Sequence, residues 1–195
     1  MNTGLRIERV DEHSHLIDDA ARLHVACLHG TLTSRRGAPV VAGIYRWLIR
    51  KGHSLYVALE EDSLLGGLMV MVHGHSRATS FTITHRPWSW VSVLGKLGVL
   101  ETLQQVRDLA KVMHHTSQLA PHDYIVALYV DERARRLGLA RRLLACAAQD
   151  SARRGVDLGV DTLQDNVSAR RLYASFGFRE VVTTPRSQIF TWPSE

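Results

Sequence analysis

Apolar and charged residues alternate along Leu5–Val10, which predicts a half-buried first strand. The spacing over His15–Leu28 is helical and sets Leu16, Ala20, Leu23 and Cys27 on one stripe. His29–Gly37, rich in Thr, Ser, Arg and Gly, reads as a loop with Leu32 as its anchor. Pro39 suits the first turn of a second helix, running to about Lys51 with Gly52 as its stop. Leu55–Leu59 and Leu64–Val72 predict two strands joined by an acidic hairpin turn, with Gly66 and Gly67 marking a bulge. His73–Ser80 is polar and Phe81–His85 alternates again. Trp88–His115 is helix-like but interrupted at Gly95 and Gly98.

The pattern is sharper in the last third. Tyr124–Val130 is a compact apolar strand. Leu137–Arg154 follows as a helix with Ala140, Leu143, Leu144, Ala147, Ala148 and Ser151 on one face, and Gly155 ends it. Val156–Val160 predicts a strand, Asn166–Phe176 a short helix closed by Gly177, and Phe178–Val182 with Gln188–Trp192 a final hairpin. This order argues for a single domain over residues 1–195, mixed α/β or α+β, built on a central sheet.

Composition removes several classes. The chain has 195 residues, 45% hydrophobic and 22% charged, enough for one ordered domain with a proper core. Net charge is +5, yet the basic residues are interleaved with acids, so a mildly basic surface explains it as well as an anionic partner does. No nucleic-acid motif accompanies it. No apolar stretch is long enough to span a membrane, and the first residues lack the apolar core of a signal peptide, so a cytoplasmic protein is expected. Cys27 and Cys146 have no partner at metal or redox spacing and read as structural thiols.

The candidate chemistry lies where the strand Tyr124–Val130 runs through a polar loop, Asp131–Arg136, into a helix opening Arg135-Arg136-Leu137-Gly138-Leu139-Ala140. The first turn of a helix offers unpaired N–H groups and the positive end of the macrodipole, both suited to a pyrophosphate. Gly138 would let a phosphate approach the backbone, and Arg135, Arg136, Arg141 and Arg142 could add charged hydrogen bonds. The dinucleotide pattern G-x-G-x-x-G does not follow this strand, and the phosphate loop G-x-x-x-x-G-K-[ST] is absent. By itself the run fits a solvated basic helix start equally well.

Arg135, Gly138 and Ala140 fill the pattern [QR]-x-x-G-x-[GA], and Asn166-Val167-Ser168-Ala169 through Tyr173 to Gly177-Phe178 fills N-x-x-A-x-x-x-Y-x-x-x-G-F. In order and spacing this stretch, Tyr124 to Glu180, resembles the acetyl-CoA-binding core of the GNAT N-acetyltransferases. The resemblance implies the GNAT acyltransferase fold: a mostly antiparallel mixed sheet, splayed at the cofactor strand, with helices on both faces. It implies acetyl-CoA as cofactor, its pantetheine arm paired with the backbone of Leu128, Tyr129 and Val130. It further implies a pyrophosphate cradled by the N–H groups of Arg136, Leu137, Gly138, Leu139, Ala140 and Arg141, and an arm tied by Asn166. Tyr173 matches the tyrosine that protonates the departing thiolate. Asn166 also suits a helix N-cap, and Tyr173 a core aromatic.

Thioester chemistry asks for a neutral amine, support for an oxyanion and a proton for sulfur. A backbone N–H at Val130 could supply the support. The base is open among Glu60, Glu61, His73, His75, His122 and Asp123. His114, His115 and His122 lack metal-ligand spacing, so no metal is expected. The acceptor would lie between the N-terminal helices and Arg86–His115, which carries Trp88 and Trp90. A small-molecule amine (amino sugar, amino acid or antibiotic) is the first expectation. A protein N-terminus or lysine, or a non-catalytic acetyl-CoA-binding module, is the alternative. Neither nucleic acid nor membrane is expected as a partner, and a homodimer is open.

Overall fold

The computed structural model describes residues 4–29, 31, 34–72, 122–183 and 187–193. Leu32, His73, His75, His114, His115, the expected strand Phe81–His85 and the segment Arg86–His115 with Trp88 and Trp90 lie outside these residues.

Strand β1 (Leu5–Val10) leads into helix α1 (Leu16–Cys27), and α2 (Ala38–Arg50) opens with Pro in its first turn. The burial of α1 is rotated from the expected stripe: Ile17, Ala20, Ala21 and His24 face the core. Leu16, Leu23 and Cys27 are only half-buried. The difference has a reason: α1 packs on both α2 and the sheet, so a buried polar group, His24, takes a place the apolar pattern gives to Leu23.

Strands β2 (Ser54–Glu60), β3 (Ser63–Met71) and β4 (His122–Val130) continue the sheet. A short 3-10 turn, Glu132–Ala134, leads to α3 (Leu139–Arg153). Then come β5 (Asp157–Leu163), α4 (Val167–Phe176), β6 (Arg179–Thr183) and β7 (Ser187–Trp192). The sheet has seven strands in the order β1-β2-β3-β4-β5-β7-β6. Every neighbouring pair is antiparallel except β4 and β5, which run parallel.

Two core clusters lie on opposite faces. One gathers Leu143 and Leu144 of α3 against Leu68, Ile125, Leu158 and Val160. The other gathers Ile17 and Tyr45 of α1 and α2 against Leu55, Val57, Met69 and Tyr129. Helix α3 buries Leu139, Leu143, Leu144, Ala147, Ala148 and Ser151, nearly the face its periodicity predicts. Full burial of a Leu contributes about 2 kcal/mol, so Leu143 and Leu144 alone fasten this helix firmly.

Of the three bulges among the described strands, two shape the sheet near the site. In β3 the register passes from Ala58↔Gly66 to Leu59↔Leu64, so the extra residue is Leu65, beside the glycines that announced it. In β4 it passes from Met69↔Ala127 to Val70↔Ile125, leaving Val126 unopposed. A single extra residue reverses which face each later side chain meets. Ile125 accordingly belongs to the α3 cluster, while Ala127 and Tyr129 belong to the α1–α2 cluster.

Candidate active site

The parallel pairing of β4 with β5 covers only His122↔Asp157 to Ile125↔Val160. Beyond it β4 continues to Val130 and β5 to Leu163 without pairing to each other. The two strands part at the Val126 bulge and form a V. Val126, at its apex, is 48% exposed. The arm Val126–Val130 keeps β3 as neighbour on one side, and on the other it pairs with no strand among the described residues. A strand edge of that kind pairs readily with an extended ligand bearing amides.

The mouth of the V is the loop from β4 to α3. Asp131 caps the 3-10 turn, its Oδ1 accepting from the Arg133 N–H at 2.9 Å. The Arg133 guanidinium also pairs with Asp131, holding that carboxyl below its usual range, so the loop's own acid is answered locally. Arg136 (φ 64°) and Gly138 (φ 78°) both adopt left-handed conformations. A side chain at Gly138 would meet nothing within 4 Å among the described residues, so there the space above it is open. The left-handed φ there also explains why α3 starts at Leu139 rather than at Leu137, its expected beginning.

The first helical bond of α3 runs from Arg142 N–H to the Gly138 carbonyl at 3.1 Å. Among the described residues, the N–H groups from Arg136 through Arg141 meet no acceptor. No acid stands in the helix's first turn and no side chain caps it. Consecutive N–H groups in left-handed and turn conformations, at the positive end of a helix, form an anion-binding concavity.

The side chains of this run divide sharply. Leu137 is 69% exposed, whereas Leu139 is buried in the core and offers the site only its backbone. Ala140 is half-buried. The Arg141 guanidinium donates to the Ser175 carbonyl at 3.0 Å and lies over the Phe176 ring. Arg142 reaches the Leu5 carbonyl at 3.3 Å. These two are thus engaged with neighbouring elements, while Arg133, Arg135 and Arg136 are the exposed cations of the loop, Arg133 being paired with Asp131. Arg135 sits 3.8 Å from Glu132.

Helix α4 brings the second half of the pattern to the same place. Asn166 caps it, Oδ1 accepting from the Ala169 N–H at 3.1 Å. Gly177, left-handed at φ 112°, closes it, and the N–H groups of Gly177 and Phe178 both reach back to the Tyr173 carbonyl. Tyr173 is 5% exposed, packed against Phe178 and Phe190.

Sequence reasoning missed the carboxylate of this site. The Tyr124 hydroxyl donates to Asp161 Oδ1, tying β4 to β5 at the root of the V. Burial raises the Asp161 carboxyl above its ordinary range, against the opposing pull of that hydrogen bond. Burial also raises Tyr124 and Tyr173, and in both the Asp161 charge pushes the same way. The expected strand ends at Val160, whereas β5 runs to Leu163 and so carries Asp161 among the apolar Leu158, Val160 and Leu163.

Four of the bases considered from sequence lie among the described residues, and these stand elsewhere. Asp123 is wholly buried, accepting from Ser151 Oγ at 2.7 Å and from Arg154 Nε at 3.2 Å. It is a structural clasp between β4 and the end of α3, with Arg154 as its partner. His122 begins β4, roughly 13 Å from Val126 at about 3.3 Å per residue. Glu60 and Glu61 are exposed at the β2–β3 turn, two strands from the V.

Comparison with known proteins agrees with this geometry. The acetyltransferase (GNAT) family model matches residues 17–178. An N-acetyltransferase of Staphylococcus aureus Mu50 has a similar structure, with TM-score 0.61 at 14% identity over 98% of this chain and 99% of that one. The ribosomal-protein-S18-alanine N-acetyltransferase of Escherichia coli gives 0.59 at 14%, over 97% and 93%. An IAA acetyltransferase of Bacillus cereus gives 0.53 at 14%, over 96% and 97%. At these identities the likeness speaks for the fold. No curated protein matches the sequence.

Proposed function

We propose that this chain, which belongs to the GNAT acetyltransferase family and is thereby an acyltransferase, moves the acetyl group of acetyl-CoA directly onto a primary amine. The observation that carries the reading is the conjunction of the V between β4 and β5 with the unanswered N–H groups from Arg136 through Arg141 at its mouth. Either feature alone is common. Together they match a ligand with an amide-bearing arm at one end and a pyrophosphate at the other.

The residues present fit that ligand. The backbone of Leu128, Tyr129 and Val130 would pair with the arm along the open edge, and Asn166 stands at the end of the opposite strand. The N–H groups of Arg136, Leu137, Gly138, Leu139, Ala140 and Arg141 would hold the pyrophosphate, with Arg135 and Arg136 adding charge. When bound, acetyl-CoA supplies the activated acyl group, so this chain has only to place an amine and manage protons.

Asp161 is the group placed to take the proton from the incoming ammonium. Its raised carboxyl pKa makes it a better base than an exposed aspartate, and Tyr124 fixes its orientation. Tyr173 is the group placed to give a proton to sulfur. Burial weakens it as an acid, and so does the Asp161 charge. Protonating Asp161 removes that charge and makes Tyr173 the stronger donor. Base and acid are thereby coupled: accepting the amine's proton at Asp161 readies the phenol.

For the acceptor, a small-molecule amine is the first reading; a protein N-terminus or lysine is the second. Retention of Tyr173 beside Asp161 argues against a non-catalytic acetyl-CoA-binding module. The test is to incubate the protein with acetyl-CoA and panels of amino acids, amino sugars, aminoglycosides and short peptides, following thiol release. Turnover with free amines supports the first reading, turnover only with peptides the second. Binding without turnover on any amine would favour the module.

A further inference from the structure

The arm of β4 from Val126 to Val130 carries the proposed cofactor site, yet among the described residues it has a strand neighbour on one side only. Something across its face must fix how far it stands from β5. Helix α1 does this with two side chains. His24 and Cys27 are three residues apart on α1 and therefore share a face. They reach consecutive residues of the arm. The Cys27 thiol donates to the Val130 carbonyl at 3.4 Å. The His24 ring meets the Tyr129 ring edge-on, centroids 5.3 Å apart.

A third residue, Tyr45 of α2, completes the group. Its hydroxyl and His24 Nδ1 share a hydrogen bond of 2.7 Å. Tyr129 lies flat across Gly67 of β3, where even a Cβ would stand 2.4 Å from the phenolic oxygen. The Tyr129 hydroxyl is buried without a well-aligned hydrogen bond, coupled electrostatically to the Tyr45 hydroxyl. Buried polar groups of this sort are a poor way to gain stability, because an apolar trio of similar volume would avoid their desolvation cost. What such groups do well is select one geometry.

We propose that His24, Cys27 and Tyr45 are positioning residues that set the free arm of β4 at the spacing acetyl-CoA requires. The inference rests on the cofactor reading above. The α1–α2 pair is then more than a wall for the acceptor: it is the strut that keeps the V open on the β4 side.

The test compares wild type with Cys27→Ala, Cys27→Ser, Tyr45→Phe and the pair Tyr45→Phe with Cys27→Ala. Two quantities are measured: acetyl-CoA affinity by calorimetry, and hydrogen exchange of peptides from β4 and β2 by mass spectrometry. The paired variant is expected to bind acetyl-CoA about tenfold more weakly or worse, a loss well outside calorimetric error. Exchange should quicken over Val126–Val130 and stay unchanged in β2. Cys27→Ser, whose hydroxyl can still donate to the Val130 carbonyl, should bind like wild type, while Cys27→Ala should not. Wild-type binding in Cys27→Ala or in the paired variant, or faster exchange across the whole sheet alike, overturns the proposal. Failure of wild type itself to bind acetyl-CoA would overturn the cofactor reading with it. Cys27 is half-buried, so its single variants remain folded even if the pair does not.

Discussion

Two helices begin beside the V, α3 after β4 and α4 after β5, and their first turns are built in opposite ways. Helix α4 satisfies itself: Asn166 accepts from the Ala169 N–H. Helix α3 starts from a left-handed glycine that has no side chain to offer, carries no acid in its first turn, and leaves its N–H groups unanswered among the described residues. If stability alone were selected, α3 would carry a Ser, Asp or Asn cap, worth about 1 kcal/mol. The contrast teaches that a helix start held without a cap, next to one that has it, is available to an anion from outside the chain.

The most severe way to break the comparison is Gly138→Asp. Asp tolerates left-handed backbone and favours a helix N-terminus by about 0.5 kcal/mol, so the fold should survive. Acetyl-CoA affinity should nevertheless fall at least ~100-fold by calorimetry, since a carboxylate would occupy the place of the pyrophosphate at a cost near 3 kcal/mol. Gly138→Asn, uncharged and of the same shape, should lose much less. Unchanged affinity in Gly138→Asp would remove the site from α3.

Tyr173→Phe and Asp161→Asn sharpen the comparison by separating binding from chemistry. Each should lower turnover by roughly 10²–10⁴-fold, the usual range for losing a positioned acid or base. Acetyl-CoA affinity should change only a few-fold. Equal loss of turnover and affinity in Tyr173→Phe would instead make it a holder of cofactor or core. Because Asp161 must be ionised to accept a proton and its carboxyl titrates above the ordinary range, activity should fall as pH drops through that raised pKa. In Asp161→Asn this acidic limb should vanish from the residual rate.

Smaller effects concern stability. Burial lowers His24 from 6.5 to about 4, so the unfolded chain takes up a proton that the folded chain refuses. Its contribution is complete above pH 6.5 and is lost as pH falls from there toward 4, by about 3 kcal/mol at most. Denaturant midpoints measured across that window should drop in wild type and drop less in His24→Asn. At the least severe end, Asn166→Ala removes the α4 cap. It should cost about 1 kcal/mol, a few degrees of melting temperature, with little change in acetyl-CoA affinity. A large affinity loss there would give Asn166 a direct role in holding the cofactor.

Much of this architecture is written in local pattern. The periodicity of Leu139–Arg153, the Pro that opens α2, the glycines beside the β3 bulge and the Asn166-to-Gly177 frame of α4 all act within a turn or two, where sequence spacing is spatial spacing. The rotation of α1 was not legible, because which face it buries depends on α2 and the sheet together. Nor was the β4 bulge: no Gly or Pro marks Val126, and only the partner register reveals it. The same holds for Asp161, which becomes a candidate base only once β5 lies beside Tyr124. Asp123 shows the converse. It looked available in sequence and proves to be a wholly buried partner of Ser151 and Arg154.

The central claim is that the V and the uncapped start of α3 form one site for acetyl-CoA. Calorimetric titration of the purified protein with acetyl-CoA, with NAD and ATP as competitors for the same basic loop, tests it most directly. Saturable binding of acetyl-CoA that NAD and ATP do not reproduce is the expected result. Absence of binding in a folded sample, or equal binding of all three, would contradict it.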